Sequence, residues 1–429
     1  MNNDKEFIKY LANNSKYYED LYDIIWKMND LKEFKQEFTK ISVGLFNVPC
    51  GGFGDIIVCK TFYDYLKTWY PKMNVSICTT DPEKFKQLGV EKGIIKLDSK
   101  VKNIQCIDYD KIIFKNRIKF DLMIAIPIIN KTFDINKFKK CISYANIFNT
   151  FSVSEYNGEY PPYTFPIGVG ENNLGILLND FKTKEQNIIK KPFALVYMQP
   201  SPEWGPHSRY CFFSYIEMIS QKYIEKHQTF QVIIPYWIQE EIEYNPQFKS
   251  ILKNLIEPYY KNIGIIYDDG TTQKILENEN EKSVIVFRAD ILPQKREIFI
   301  SLIKDSVKDV LLTGDQSITD AISCCKRKTI WYQIAPWKKG FAYYMYENLP
   351  NENFKTFKTS CGSINAFEIN INWTNFQKKY DFRIHGKKRM DQILIGYNKL
   401  KKEDYLKDLL FIIEKSRYLE TAQKKIANL

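Results

Sequence analysis

Histidine is scarce in this chain of 429 residues and cysteine is unpatterned. The three histidines, His207, His227 and His385, lie far apart. The nine cysteines cannot all pair, contain no CxxC, and bring only Cys324 and Cys325 side by side. A zinc centre and a disulfide framework are therefore not expected, and reduced, mostly buried thiols are. Glycine and proline number only 18 and 17, too few for a collagen-like or largely disordered chain. No run reaches the roughly 18–20 apolar residues of a spanning helix. The start, MNNDKEFIKYLANNSKYYEDLYDIIWKM, lacks the apolar stretch of a secretion signal. These absences predict a cytoplasmic protein, with host cytosol and peripheral membrane association left open.

What is present is ordinary for a folded soluble protein: 44% hydrophobic, 26% charged and 15% aromatic residues. The length suits two or three domains with a large core. Lysine and arginine number 62 against 51 aspartates and glutamates, a net charge of +11. That mild excess favours anionic ligands without choosing among nucleotides, headgroups and nucleic acid. The abundance of Lys, Asn, Ile and Tyr fits AT-rich coding, so the charge is not taken as a mark of nucleic-acid binding.

Strand-like and helical segments alternate. Residues 1–40 read as a helical lead-in, with Phe7, Tyr10, Leu11, Leu21, Ile24, Ile25 and Met28 on a stripe. ISVGLFNVP (41–49) reads as a strand, followed by a glycine turn and a helical pattern through Trp69. MNVSICTT (73–80), KGIIKL (92–97), NIQCI (103–107) and FDLMIAIPI (120–128) add strands, with a helical piece at 82–88. The Pro- and Gly-bearing stretch within 151–190 marks a boundary. A second series runs through FALVYMQ (193–199), a helix at 211–226, TFQVIIPYW (229–237), NIGIIYDD (262–269), SVIVFR (283–288), DVLLTG (309–314) and KTIWYQI (328–334), which closes it. The repeated pattern predicts two Rossmann-like α/β domains facing a cleft. The boundaries expected are 1–40 for the lead-in, 41–170 for the first domain, 171–375 for the second and 376–429 for a terminal helical segment, whose 399–427 stretch is long enough to cross back and tie the domains together. The basic 381–405 stretch suits a solvated helix face.

Several strand-end loops carry usable chemistry. Gly51-Gly52-Phe53-Gly54-Asp55 joins a strand to a helix; its glycines permit close approach, and the helix start favours an anion. It does not match GxGxxG, since position 57 is Ile, and no Walker loop is present. Asp55 either balances the helix dipole or serves as a general base. In Leu312-Thr313-Gly314-Asp315-Gln316-Ser317, Gly314 permits a tight turn, Ser317 is placed to cap or begin a helix, and Asp315 orders the loop or caps. The same amides and hydroxyls suit a diphosphate. Trp337, Lys338 and Lys339 offer an aromatic wall and two cations, and Gln333 is a candidate for contact with a base or sugar. The 201–210 loop contributes His207 and Arg209, and the 288–295 loop contributes Arg288 and Lys295, as further phosphate candidates. No spaced acidic pair marks a metal site, because Asp268 and Asp269 are adjacent and read as a turn.

NVPCGGFGDIIVCKTFYDYL resembles the glycine–aspartate turn of bacterial heptosyltransferases and of protein-arginine rhamnosyltransferases. LLTGDQSITDAISCCKRKTIWYQIAPWKKGFAYYM resembles the donor-binding segment of GT-B glycosyltransferases. The two motifs span about 20 and 35 residues. The resemblance implies a GT-B fold and a nucleotide-sugar donor. It also implies metal-independent, inverting transfer with no cofactor. It maps the catalytic base onto Asp55, and the donor segment onto Gly314, Asp315, Gln316, Ser317 and, more loosely, Asp320. Two departures stand out: Lys326-Arg327-Lys328 replaces a turn of small residues, and Asp320 stands where many family members have Glu. The acceptor stays open among glycan, protein, lipid-linked and nucleic-acid classes, as does the oligomeric state. A nucleotide-sugar epimerase, another two-Rossmann enzyme, and a non-catalytic binding protein share the same pattern.

Overall fold

A computed structural model describes residues 41–49, 54–102, 109, 111–113, 119–128, 138, 146–154, 164–171, 173–180, 188–190, 192–200, 207–325, 327–333, 339–369 and 373–394. The helical lead-in, the 103–107 strand and the 399–427 helix lie outside them. Two compact units emerge. One holds the described residues up to Val153 with Thr164, Phe165 and those from Lys387 onward, and the other holds Ser154 and Pro166–Gly386.

In the first unit, β1 (Ser42–Asn47) leads into α1 (Gly54–Trp69), which is followed by β2 (Asn74–Thr79), α2 (Pro82–Gln87), β3 (Ile94–Lys96), a small β4 (Asp98–Ser99) and β5 (Ile112–Ile113) pair, β6 (Lys119–Ile128), β7 (Asn146–Ser154) and β8 (Thr164–Pro166). The main sheet runs β3-β2-β1-β6-β7-β8. β1 is parallel to both β2 and β6, and β2 to β3. A strand buried on both faces needs an unbroken apolar run, and β1 is buried at every position after Ser42. α1 turns Ile56, Cys59, Phe62 and Leu66 onto the sheet at helical spacing. α2 starts because Asp81 accepts the Lys84 N–H at 3.3 Å and Pro82 presets the first turn.

The second unit contains β9 (Phe193–Tyr197), α3 (His207–Tyr223), β10 (Thr229–Ile233), α4 (Tyr236–Tyr244), α5 (Pro246–Ile256), β11 (Asn262–Ile266), β12 (Thr272–Leu276), β13 (Val284–Arg288), α6 (Arg296–Asp305), β14 (Asp309–Leu312), α7 (Asp315–Cys324), β15 (Thr329–Tyr332), α8 (Lys339–Asn348), β16 (Phe354–Thr359), β17 (Gly362–Glu368) and α9 (Trp373–Tyr380). Its sheet runs β12-β11-β13-β10-β9-β14-β15-β17-β16. The six strands from β11 to β15 in that order are parallel, and β12, β17 and β16 add antiparallel edges. The core stacks Phe212 on Phe248 with ring centroids 5.7 Å apart and sets Phe213 4.6 Å from the same ring. Each such fully buried ring contributes roughly 1.5–3 kcal/mol.

Both sheets are therefore Rossmann-like, as expected, with three corrections. The expected 229–237 strand stops at Ile233, because Pro235 lacks an N–H and stands at the N-cap of α4. The helix expected from 211 begins at His207. KTIWYQI does not close the sheet, since the β16–β17 hairpin follows it.

The second unit also pins two stretches of its own chain together. The Ile176 N–H donates to the Tyr380 carbonyl at 2.6 Å, and the Phe382 N–H returns to the Ile176 carbonyl at 3.0 Å. Gly175 has φ +90°, and a Cβ there would lie 2.5 Å from the Tyr380 carbonyl oxygen. After a π-helical turn at Phe382–Gly386, helical residues 387–394 belong to the first unit. There the Tyr70 hydroxyl donates to Asp391 at 2.6 Å.

Candidate functional site

Strand order locates the places where each unit can hold a ligand. In the first sheet the chain passes from β1 to β2 on one side, then returns to β6 on the other. In the second it leaves β9 for β10 and later crosses to β14 on the opposite flank. Loops diverge at such reversals, leaving a crevice outside the carboxyl ends of the strands. Those ends are where the glycine turns fall: one after β1, the other after β14.

In the first unit, Gly54 opens α1 and Asp55 follows it, partly exposed, in the first turn. A Cβ built on Gly54 would meet nothing within 4 Å. Beneath the turn, buried Asn47 at the end of β1 donates from Nδ2 to the Ile126 carbonyl at 2.9 Å and toward the Asp55 carbonyl at 3.4 Å. It thus ties β1, β6 and the start of α1 together. Behind it, burial pushes the Cys59 thiol well up, with smaller contributions from Cys78 and Asp55. Gly51 and Gly52 lie outside the described residues.

In the second unit, Gly314 takes φ +78°, which suits glycine, and the space its Cβ would fill is open. α7 begins at Asp315 after an N-cap glycine that makes no side-chain cap bond, and first-turn N–H groups of this kind favour an anion. Ser317 is not a cap. It is the third residue of α7, and its buried hydroxyl donates back to the Thr313 carbonyl and to Gly314 O at 3.0 Å. Gln316 donates to Asp320 at 3.0 Å. Asp320 is buried and also receives Arg296 through both Nε and a terminal nitrogen, at 3.0 and 2.6 Å, and Asn179 at 2.6 Å. Its carboxylate is thus occupied inside the unit.

The remaining candidates separate. Arg209 lies in the first turn of α3, not on a loop, and its guanidinium holds Glu241 at 2.6 and 3.1 Å. Arg288 ends β13 and grips Asp290 at 2.7 and 2.8 Å and Gln231 at 2.8 Å. Lys295 is exposed at the N-cap position of α6 and makes no ion pair among the described residues. His207 and Lys339 are the first residues of α3 and α8, while Trp337 and Lys338 lie outside the described residues. The side chains of Asp315, His207 and Lys339 are likewise not described. Asp268 and Asp269 form a turn as read: Asp269 accepts from the Thr271 N–H at 2.8 Å, and Asp268 accepts from Gln239 at 2.8 Å.

Gln333 does not project to a base or sugar, because its side-chain amide bonds Gln199 and Ser208. The sequence reading passed over Gln199, Ser208, Asn47 and Arg296. The available signal was a polar residue at the end of each apolar strand: Asn47 closing β1, Gln199 after β9, Thr313 after β14 and Gln333 after β15.

Among the described residues, no group of three or more His, Cys, Asp or Glu is placed to hold a metal, and no helix is long and apolar enough to cross a membrane.

No protein-family model matches the chain, and no curated protein sequence matches it significantly. Among solved structures it is similar to Acinetobacter baumannii MurG, at 7% identity and a TM-score of 0.36 over 87% of this chain and 99% of that one. It is similar to a glycosyltransferase from Rickettsia africae, at 10% identity and a TM-score of 0.37 over 86% and 98%. It is also similar to the E. coli heptosyltransferase WaaC with ADP-2-deoxy-2-fluoro heptose, at 10% identity and a TM-score of 0.23 over 63% and 82%. At these scores no function is carried over from the three.

Proposed function

We propose that this chain is a glycosyltransferase that moves a sugar from a nucleotide-sugar donor to an acceptor, without a metal and with inversion. The observation that carries the reading is the coincidence of an uncapped glycine–helix turn, Gly314–Ser317, with the β9/β14 reversal of the second sheet. An uncapped helix start at a strand-order reversal is a site for phosphate. The resemblance of the same segment to GT-B donor sites adds the sugar to the phosphate.

In this reading the first-turn amides of α7 hold the diphosphate, and Lys295, Lys338 and Lys339 add positive charge. Asp55 accepts the proton of the acceptor nucleophile as that atom attacks the anomeric carbon. The bond from that carbon to the phosphate oxygen breaks, and the nucleoside diphosphate leaves with the electron pair. Preset amides stabilise the departing charge without reorganising. Arg209 and Arg288 contribute only if they exchange Glu241 and Asp290 for phosphate, so they rank below Lys295.

The test is release of nucleoside diphosphate from a panel of nucleotide sugars, with candidate acceptors and with a chelator present. Asp55→Asn should lower turnover by about 10²–10⁴-fold, the usual contribution of a positioned base, with nucleotide affinity unchanged. Conversion of the nucleotide sugar without transfer would replace the reading by an epimerase. Binding without turnover, indifferent to Asp55→Asn, would replace it by a binding protein.

A further inference from the structure

Gln333 lies directly after β15, is 1% exposed, and meets three chain connections at once. Its Oε1 accepts the Gln199 N–H at 3.1 Å. Its Nε2 donates to the Gln199 carbonyl at 3.2 Å and to Ser208 Oγ at 2.9 Å. Ser208 Oγ donates in turn to the Gln199 carbonyl at 3.0 Å. The backbone joins in: the Gln333 N–H donates to the Leu312 carbonyl at 3.0 Å, and Thr313 Oγ1 donates to the Gln333 carbonyl at 3.5 Å.

β9 and β15 are not neighbours, since β14 lies between them. The Gln333 side chain therefore crosses the carboxyl end of β14 and pairs with the Gln199 peptide as another strand residue would. Gln199 enters the connection that ends at His207, and Ser208 leaves it. Leu312 and Thr313 enter the Gly314 turn, and Gln333 itself enters the connection to Lys339. Apart from Arg288 and Lys295, all the donor-side candidates follow one of these three points. The amide also suits the task chemically, because one rigid group must accept one N–H and donate two of its own.

We propose that Gln333 is the positioning residue of the donor side, a buried crosslink that makes the ends of these three connections move as one. The crosslink stands on the hydrogen bonds alone; its consequence for nucleotide binding rests on the proposed function.

Gln333→Glu converts the crosslink into a pH-dependent one. A protonated carboxyl accepts with one oxygen and donates with the other, so it replaces most of the amide. Burial raises its pKa above the ordinary value of about 4.3, so the neutral form persists at pH 5. As pH rises through the raised value the proton is lost, and an acceptor-only group faces the Gln199 carbonyl and Ser208 Oγ. Stability contributed by the crosslink is thus present at low pH and lost at high pH.

The experiment is amide hydrogen exchange by mass spectrometry on the full chain, comparing wild type, Gln333→Glu and Gln333→Met at pH 5 and pH 8.5. Each variant is compared with wild type at the same pH. At pH 8.5, Gln333→Glu should exchange about tenfold faster or more in 193–200, 207–210 and 312–317 together, the effect of losing a buried hydrogen bond or two. At pH 5 it should return to within about twofold. Gln333→Met should be fast at both pH values, and α5 should be unchanged throughout. Acceleration confined to 329–333, acceleration spread equally to α5, or a Gln333→Glu effect independent of pH would overturn the crosslink. Titration of the same proteins with UDP, ADP and GDP addresses the other reading: a wild type that binds none of them sinks the nucleotide site, while the exchange pattern still decides Gln333.

Discussion

The two ends of the adjoining strands β9, β14 and β15 are built from different chemistry. At the amino end, Asp309 is fully buried. It receives Lys222 at 2.6 Å, the Tyr223 hydroxyl at 2.6 Å and the Trp331 indole N–H at 2.9 Å, while the Tyr215 hydroxyl donates to its carbonyl at 2.9 Å. Burial pushes the Tyr215 and Tyr223 phenols well up, and the Asp309 charge adds to it, so both stay protonated donors. Beside it, Lys328 is buried with its ammonium on the Ser306 carbonyl at 2.6 Å, the Val307 carbonyl at 2.9 Å and the Ser306 hydroxyl at 3.1 Å. At the carboxyl ends of β9, β14 and β15, the groups that join the strands are neutral: Gln199, Ser208, Thr313 and Gln333; the charged Arg288–Asp290 pair lies farther along the sheet, at the end of β13. Full charges inside a protein hold strands together only when every partner is in place. Neutral crosslinks leave the field at the carboxyl end to the helix dipole and to an incoming anion. Under the proposed function, stability belongs to one end and binding to the other.

The sharpest way to break it is Asp309→Ala, which strands Lys222, the Tyr223 hydroxyl and the Trp331 N–H. It should destabilise the unit by roughly 3–5 kcal/mol, read by denaturant unfolding, while the protein that remains folded keeps its nucleotide affinity. A loss of affinity with stability intact would reverse the assignment. Lys328→Met is the milder lesion: it leaves carbonyl acceptors unpaired and should cost about 1–3 kcal/mol, again with binding unchanged.

The smallest effect concerns the thiols. Burial pushes Cys78 and Cys211 up to about 12, so little thiolate exists near neutrality. Both should alkylate with iodoacetamide at least tenfold more slowly in the native chain than in denaturant, between pH 7 and pH 9. Fast native labelling at either would show that the core opens readily. Of the expected buried thiols, Cys59, Cys78 and Cys325 are buried, whereas Cys211, Cys324 and Cys361 are partly exposed, among the described residues.

The fold was largely legible because parallel strands buried on both faces write unbroken apolar runs. FALVY and DVLL are read directly as β9 and β14. The error at 229–237 arose because IIPYW is apolar on both sides of Pro235, and apolar character alone does not separate a strand end from a helix start. The β16–β17 hairpin was missed because FKTFKT and GSINAFE mix polar and apolar residues as edge strands do. At the site, the glycine turns were legible from composition and placement. The partners of the polar side chains were not, because those pairings join distant stretches: Arg296 with Asp320, Arg209 with Glu241, and Gln333 with Gln199 across 134 positions. Sequence marks which residues have hydrogen-bonding capacity, and only the fold determines where it is used.

The measurement that bears most directly on the account is calorimetric titration of the purified chain with a panel of nucleoside diphosphates and nucleotide sugars, with and without magnesium, alongside Lys295→Glu. Lys295 is exposed at the N-cap position of α6, so the reversed charge should repel an approaching phosphate while the unit stays folded. The account predicts saturable, magnesium-independent binding of one nucleotide sugar, weakened about tenfold or more by Lys295→Glu. Absence of binding from a folded sample, or binding that Lys295→Glu leaves untouched, would contradict a donor site at the carboxyl end of β14.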